Sequence, residues 1–522
     1  MHCPAIIRRS RSSSDTSYRV DHRRDLPGDY PDYCQESAQA DNGYCWHNKA
    51  ERKNYTMNRR EFLSRTGAGL AWLAAPTLTM GADERRKYLL RAEEGFSNLV
   101  PDAGVQTAVW QYNRQTPGPV IRIKQGETLQ IPFTNNLKQP TSIHWHGLRI
   151  SNRMDGVPGM TQSVIEPGAE FLYELTPPDA GTFWYHTHNR SWEQLARGLY
   201  GVLIVEEKEP IAVDQDLVWV IDDWLIDKSG NIDEASLGAL HDWAHGGRVG
   251  NLLTVNGKSQ PEFPVFRGER IRLRLVNVAN ARTMYLRFTQ VSPQAIAIDG
   301  QPIVPTPLEN RALTLAPGQR IDLILDMTMS PGQRMDMEFY AGEEAMVAAS
   351  LVCDLHKVVR EVPLDTTIRL SENPLSTTLD MVNARTVDLS IEGGAMGRLK
   401  EAVFNGRKLP IRELIKEKKI WAMNGIAGLS DEPLFSVKRG ETVVIQMDNQ
   451  NRWPHAMHIH GHHFINIDEG EGFDVVWRDT FLLNPNDKKR LGFVADNPGK
   501  WLIHCHMIEH QAGGMVTWFE VV

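Results

Sequence analysis

His504-Cys505-His506-Met507-Ile508-Glu509-His510-Gln511-Ala512-Gly513-Gly514-Met515 is the stretch that decides how this chain is read. In an extended strand, successive side chains leave on opposite faces. Cys505 therefore points one way, and His504 and His506 together point the other. A cysteine thiolate, a histidine such as His510 and a weak axial thioether such as Met515, completed by one more histidine, make a blue-copper electron-transfer site. The same strand would then hold blue copper on one face and ligate a second metal centre on the other. The Cys-His backbone would carry electrons between them.

Three further clusters supply the missing ligands: His144-Trp145-His146-Gly147, His186-Thr187-His188 and His455-Ala456-Met457-His458-Ile459-His460-Gly461. Each His-x-His pair puts two imidazoles on one strand face. With His504 and His506 that makes four pairs, enough for one metal cluster. His455 lies an odd number of residues from His458 and His460, so it faces away from them and is free to join Cys505 and His510. Imidazole alone suits several metals, and the added thiolate and thioether select copper. A single His-x-His is commonly a strand pair satisfied by hydrogen bonds, but four pairs, two followed by glycine, are not explained that way. These motifs use ten of the 18 histidines. His462 and His463 read as supporting or surface groups, and His241 and His245 as solvated residues of a polar, loop-like stretch.

The chain repeats itself. Gly126-Glu127, Gly268-Glu269 and Gly440-Glu441 are each followed, nine residues after the glycine, by Asn135, Asn277 and Asn449. Each copy encloses an alternating apolar run: Leu129, Ile131, Phe133; Ile271, Leu273, Leu275; Val443, Ile445, Met447. That is the period of a half-buried strand. Nine residues beyond Asn135 and Asn449 come His144 and His458, whereas Leu286 and Phe288 stand at the matching places of the middle copy. Pro167 and Pro485 each precede a pair, at His186 and His504, by 19 residues; the corresponding stretch after Pro317-Gly318 reads Met335-Asp336-Met337-Glu338. Three related all-β domains follow, the first and third carrying ligands and the second none, with the shared cluster between the ligand-bearing two. The 41 glycines and 29 prolines, spread as turn signals, agree with β-sandwiches. Domain boundaries are expected near 206–210 and 362–378. A short helix is expected around 191–197.

Residues 1–56 are polar, rich in Arg and Ser and without apolar periodicity, which reads as disorder. We expect them to be a mis-assigned extension upstream of a true start at Met57. Asn58-Arg59-Arg60-Glu61-Phe62-Leu63-Ser64 resembles a twin-arginine export signal. The weakly apolar run 67–82 after it is too short to span a bilayer. Residues 57–82 are therefore expected to be a signal peptide and the mature chain to be periplasmic. Of five cysteines only Cys353 and Cys505 lie beyond it, so no disulfide is expected. A net charge of −8 offers no basic face for nucleic acid.

Taken together, the four histidine motifs with Cys505 and Met515 resemble the copper-binding motifs of three-domain multicopper oxidases of the laccase group, over roughly residues 85–522. The resemblance implies three cupredoxin-like Greek-key β-sandwich domains, at 83–208, 209–370 and 371–522, and four coppers. It gives the type 1 copper His455, Cys505 and His510, with Met515 axial. It gives the type 2 copper His144 and His458, and the type 3 pair His146, His186, His188, His460, His504 and His506. A monomer is expected, taking electrons from a small reducing substrate at the type 1 edge and reducing dioxygen to water at the cluster. Asp155 matches an acid that assists dioxygen reduction in bacterial relatives, and its competing role is a turn residue before Gly156. The companion acid position holds Gln511, which cannot ionise, and Glu509 is its possible substitute. Family members that oxidise Cu(I) carry a methionine-rich segment in the third domain. Here Met327, Met329, Met335, Met337 and Met346 are sparse, lie in the second and read as packing, so phenols or aromatic amines are expected ahead of Cu(I) or Mn(II). A copper nitrite reductase has two domains and no six-histidine type 3 set. A non-enzymatic envelope relative would lack the ligands.

Overall fold

The computed structural model describes residues 86–99, 104–468 and 475–522. The expected upstream extension and signal peptide lie outside the described residues. Among the described residues the strands form three pairs of sheets and one two-stranded ribbon, Glu401–Phe404 with Arg407–Pro410, and the three pairs share one connectivity. In each, an early strand runs parallel to the apolar-alternating one: Leu90–Ser97 beside Leu129–Asn135, Gln215–Trp224 beside Arg270–Asn277, and Arg385–Gly393 beside Thr442–Asn449. In each, the second sheet closes with a parallel pair: Gly118–Lys124 with Tyr200–Glu206, Glu262–Arg267 with Glu344–Val358, and Ser436–Val437 with Val516–Val521. This is the Greek-key sandwich of cupredoxin-like domains, three times over. Among the described residues no helix is long and apolar enough to cross a membrane.

The repeated residues recur because each does the same local job. Gly126, Gly268 and Gly440 all take φ between 80° and 89°, which glycine adopts without a Cβ clash. The glutamate that follows reaches back over that turn. Glu127, Glu269 and Glu441 each accept the N–H three residues earlier, from Lys124, Phe266 and Lys438. Asn135, Asn277 and Asn449 are fully buried. Their side-chain amides each bridge two separate segments, donating to the carbonyls of Gln139 and Ile165, of Arg282 and Leu315, and of Trp453, Leu483 and Asn484. Between these fixed ends, Leu129, Ile131 and Phe133 and their counterparts enter the three sandwich cores.

The middle copy departs from the expected register. Asn277 donates to the carbonyl five residues on, where Asn135 and Asn449 donate four residues on. That extra residue rotates the Met284–Phe288 strand by one position. Leu286 and Phe288 thus face the sandwich core, and exposed Arg287, paired opposite Glu338, takes the outward place. Met327, Met329, Met335 and Met337 are packed in the same core, whereas Met346 is exposed.

Candidate metal centre

Two antiparallel strand pairs build the site. Ile143–His146 lies against Gly181–Thr187 with His144 opposite His186, and His455–Ile459 lies against Gly499–Cys505 with His458 opposite His504. The intervening apolar residues Trp145, Tyr185, Met457 and Ile503 fill the first and third cores. That packing turns the histidines out of the sandwiches and toward one another.

On the inner face of the third domain, Cys505 Sγ is 3.7 Å from both His455 Nδ1 and His510 Nδ1. The two imidazole nitrogens are 3.1 Å apart. His510 Nε2–H donates to the His245 carbonyl at 2.7 Å, and His455 Nε2–H donates to Asn451 Oδ1 at 2.9 Å. An imidazole that gives its proton away on Nε2 keeps a lone pair on Nδ1. Two lone pairs and a sulfur therefore converge in a fully buried spot, which is stable only around a cation. Burial pushes the His510 imidazole down to about 4 and the Cys505 thiol up to about 12. A metal ion is what favours the thiolate there. The Trp421 ring packs on both imidazoles, 5.1 Å from His455 and 4.4 Å from His510. Met515 is fully buried beside them, its carbonyl accepting the Cys505 N–H.

The other eight histidines meet between the first and third domains. His144 stacks on His460 at 3.9 Å between ring centroids, and His146 stacks on His458 at 3.8 Å. Ligand nitrogens of His144, His146 and His186 lie within 4.8 Å of one another, as do those of His144, His458 and His460, and those of His188, His460 and His504. His144, His186, His188 and His458 each bury an Nε2 that has no hydrogen-bond partner; His146 buries such an Nδ1, and His506 both nitrogens. His460 Nε2 and His504 Nε2 face each other at 3.0 Å, while their Nδ1 atoms are engaged by Asp155 Oδ2 and the Cys505 carbonyl. Orphaned buried nitrogens cost about 1–3 kcal/mol each unless a partner fills the space. Burial and mutual repulsion hold His186, His188, His504 and His506 well below the usual imidazole range, so these four are neutral and ready to ligate. The donor set fits copper.

Asp155 lies behind this set. Its carboxylate accepts from the His460 Nδ1–H at 2.8 Å, and its backbone carbonyl accepts from the His144 Nδ1–H at 2.8 Å. It therefore fixes the tautomer that aims each Nε2 inward. Glu509 does not reach the cluster. It is buried against the second domain, accepting from Asn280 Nδ2 and the Arg248 N–H, and burial raises its pKa. Gln511 and His188 share the wall of a cavity of about 370 Å³ with Asn189 and Trp192. His462 and His463 are both buried, so neither is a surface group. The stretch holding His241 forms a short helix, Leu240–Ala244, in place of the expected loop.

Sequence reasoning missed a buried charged group that joins the three domains. Asp479 is within 3.0 Å of His146 Nε2, and its backbone carbonyl accepts from His458 Nδ1. Arg320, fully buried in the second domain, donates to both Asp479 oxygens at 2.7 and 2.8 Å. Burial resists charge on Asp479, but the Arg320 guanidinium and the His146 ring outweigh it and hold the carboxyl well below its usual range. Arg320 also donates to the Thr182 carbonyl of the first domain. The available sequence signal was the set of charges Arg320, Asp322 and Asp326 on the face of one strand opposite Ile321, Leu323 and Leu325.

Comparison with known proteins agrees with this geometry. Three multicopper oxidase family models match residues 95–210, 215–337 and 406–522. The multicopper oxidase MmcO of Mycobacterium tuberculosis is 29% identical over 446 residues, 79% of this chain and 82% of that protein. The crystal structure of a multi-copper oxidase from Pseudomonas thermotolerans superposes with a TM-score of 0.73 at 32% identity, over 84% of this chain and 99% of that one. Lac15 from a marine microbial metagenome gives 0.66 at 38% identity, over 83% and 99%. With its folds, its converging imidazoles and these relatives in agreement, the chain belongs to the multicopper oxidase family and is an oxidoreductase that uses dioxygen as acceptor.

Proposed function

We propose that the chain binds four coppers and oxidises small phenols or aromatic amines at the Cys505 site, passing electrons to the eight-histidine cluster. Type 1 copper would be held by His455, Cys505 and His510, with Met515 axial. Type 2 copper would be held by His144 and His458, and the type 3 pair by His146, His186, His188, His460, His504 and His506. Bound there, copper supplies one-electron acceptance at the first site and four-electron reduction of dioxygen to water at the second. The observation that carries the reading is the pair of facing lone pairs, at His455 and His510 beside Cys505 and at His460 and His504, with one strand linking them.

The chain's own residues do the rest. Cys505 and His504 are adjacent, and the His504 Nδ1–H donates to the Cys505 carbonyl at 3.0 Å, so covalent bonds and one hydrogen bond join the sites. Asp155 orients His460 through its carboxylate and His144 through its backbone carbonyl, and that carboxylate is suited to hand on a proton beside the cluster. The cavity at His188 and Gln511 supplies a way in for dioxygen and out for water. Aromatic donors are supported by Trp453, half-buried beside His245 above the Cys505 site, and by the packing role of the second-domain methionines. The twin-arginine pattern at 58–64 supports export to the periplasm in the folded state, and Arg59→Lys with Arg60→Lys should keep the protein in the cytoplasm.

Metal analysis tests the assignment. The fully loaded parent should hold four coppers and show blue absorbance. Cys505→Ser should hold three, lose the blue colour and take up oxygen no faster than background, because a hydroxyl is a harder ligand than thiolate. Two coppers in the parent, or blue absorbance surviving in the variant, would sink the reading.

A further inference from the structure

A cavity of about 840 Å³ opens in the third domain beside the Cys505 site. Three segments wall it: the loop after the Arg385–Gly393 strand, the turn after Thr442–Asn449 and the turn before Lys488–Val494. Their backbones are tied to one another. The Gln450 N–H donates to the Ile391 carbonyl and the Asn449 N–H to the Asp487 carbonyl. The loop is pinned where the Ala395 carbonyl accepts from Trp453 Nε1. The side chains along the wall therefore stand on a fixed frame.

Five of those side chains are charged. Lys488 pairs with Asp448 at 3.1 Å, and Glu392 accepts from Ser390 Oγ at 2.8 Å. Arg398 and Arg452 are exposed, and among the described residues neither has an ion-pair or hydrogen-bond partner. The wall thus carries one net positive charge, in a chain whose own net charge is −8. A guanidinium without a partner is a fork of donors that matches a carboxylate. Met396, 66% exposed on the same wall, adds a thioether that packs well against an aromatic ring. The inner side of the cavity is closed by buried Asn451, whose Oδ1 accepts from the His455 Nε2–H at 2.9 Å. A ring in the cavity is therefore one side chain away from a ligand of the proposed type 1 site. On the opposite side, His510 Nε2 is spent on the His245 carbonyl, so no donor bonds to it directly.

We propose that this cavity takes aromatic donors that carry a carboxylate, with Arg398 and Arg452 on the anion and the ring toward Asn451. The inference rests on the proposed function and names the substrate class within it. One exposed ion pair is weak, so it is the convergence of two guanidiniums on one carboxylate that selects the anion. A neutral phenol of the same shape meets the same ring contacts and gains nothing from the two arginines. Each phenol loses one electron and its hydroxyl proton. Four phenols and one dioxygen then give four phenoxyl radicals and two waters. Arg398 and Arg452 are thus specificity-determining residues, and neither takes part in the electron transfer itself.

The test uses copper-loaded full-length protein and two phenols that differ in charge, vanillate and its methyl ester. The ratio of kcat/KM, acid over ester, should fall about tenfold when Arg398→Gln and Arg452→Gln are combined. Both are surface side chains, so retained blue absorbance checks the fold. Arg398→Lys with Arg452→Lys, which keeps the charge, should hold most of the ratio. Added salt should erode the ratio in the parent and leave that of the glutamine variant where it is. Binding is read apart from oxidation with p-anisate, which has no phenolic hydroxyl to give up. Its Kd by calorimetry should rise about tenfold in the glutamine variant. A ratio or a Kd within about twofold of the parent's in that variant overturns the inference. A parent that oxidised neither phenol would sink the proposed function, and the binding measurement would still decide this site.

Discussion

At the scale of single residues, the Cys505 site is set by where protons are given away. Asn451 Oδ1 and the His245 carbonyl can only accept, so they fix the tautomers of His455 and His510 and aim both Nδ1 atoms at Cys505 Sγ. Met515 is the remaining variable. A thioether donates weakly and favours the oxidised metal, and axial ligation tunes the potential. Leucine has similar volume and is a tolerated exchange in a packed site. Met515→Leu is expected to keep the blue colour and raise the type 1 potential, as redox titration beside the parent would show. An unchanged or lower potential would mean that Met515 only packs near the site. Asp155 is tested in the same spirit. Asp155→Asn keeps the shape and the carbonyl that His144 uses, but replaces the carboxylate at His460 with a neutral amide. Loss of such supporting partners costs 10- to 100-fold in metal affinity or activity. Copper retention against a graded chelator would register it.

At the scale of elements, the buried asparagines hold each sandwich's loops to its strand ends. Asn277 is the cleanest to test, because its domain carries no metal ligands. Asn277→Ala leaves the Arg282 and Leu315 carbonyls and the Ala279 N–H unpartnered. Each unsatisfied buried group costs about 1–3 kcal/mol. Urea unfolding should show a loss in that range or above, with copper content unchanged in the folded fraction. A loss below half a kcal/mol would mean water replaces the amide freely. These asparagines also show why so much was legible in the sequence. Strand period 2 and the Gly-Glu to Asn offset are local constraints, so the three sandwiches and the facing of His455 away from His458 could be read from spacing. Arg320, Asp479 and the His245 carbonyl could not. Their roles depend on contacts between residues over 150 apart, and a backbone carbonyl has no residue signature. The one-residue slip at Leu286 was legible in that strand's own alternation, Met284, Leu286 and Phe288 against Tyr285 and Arg287, and fixed offsets from Asn277 passed over it.

At the scale of the whole molecule, the second domain supplies no ligand yet braces the site through Arg320, whose guanidinium neutralises Asp479 and reaches the first domain. Arg320→Met would leave buried Asp479 without its partner. Removing one member of a buried pair costs about 3–5 kcal/mol. Lowered thermal stability with strands intact by circular dichroism is expected, and a variant as stable as the parent would show that Asp479 simply takes up a proton. The crowded imidazoles make the copper-free chain sensitive to acid. Burial lowers His510 to about 4 and His462 to about 3, against about 6.5 in the unfolded chain. Below pH 6.5 the unfolded state therefore binds protons that the folded state refuses. Stability depends on pH through that difference in bound protons. It should be fully present above 6.5, fall as pH drops, and stop falling on account of these two groups only near pH 4 and pH 3. The loss between pH 7 and 4.5 should be on the order of a few kcal/mol. In the copper-loaded protein the metal keeps the proton off His510 and holds Cys505 as thiolate, so its stability should fall more steeply over the same window. Denaturant unfolding of loaded and copper-free protein at pH 7, 6 and 4.5 separates the two. A loaded curve no steeper than the copper-free one would mean that copper does not hold Cys505 as thiolate.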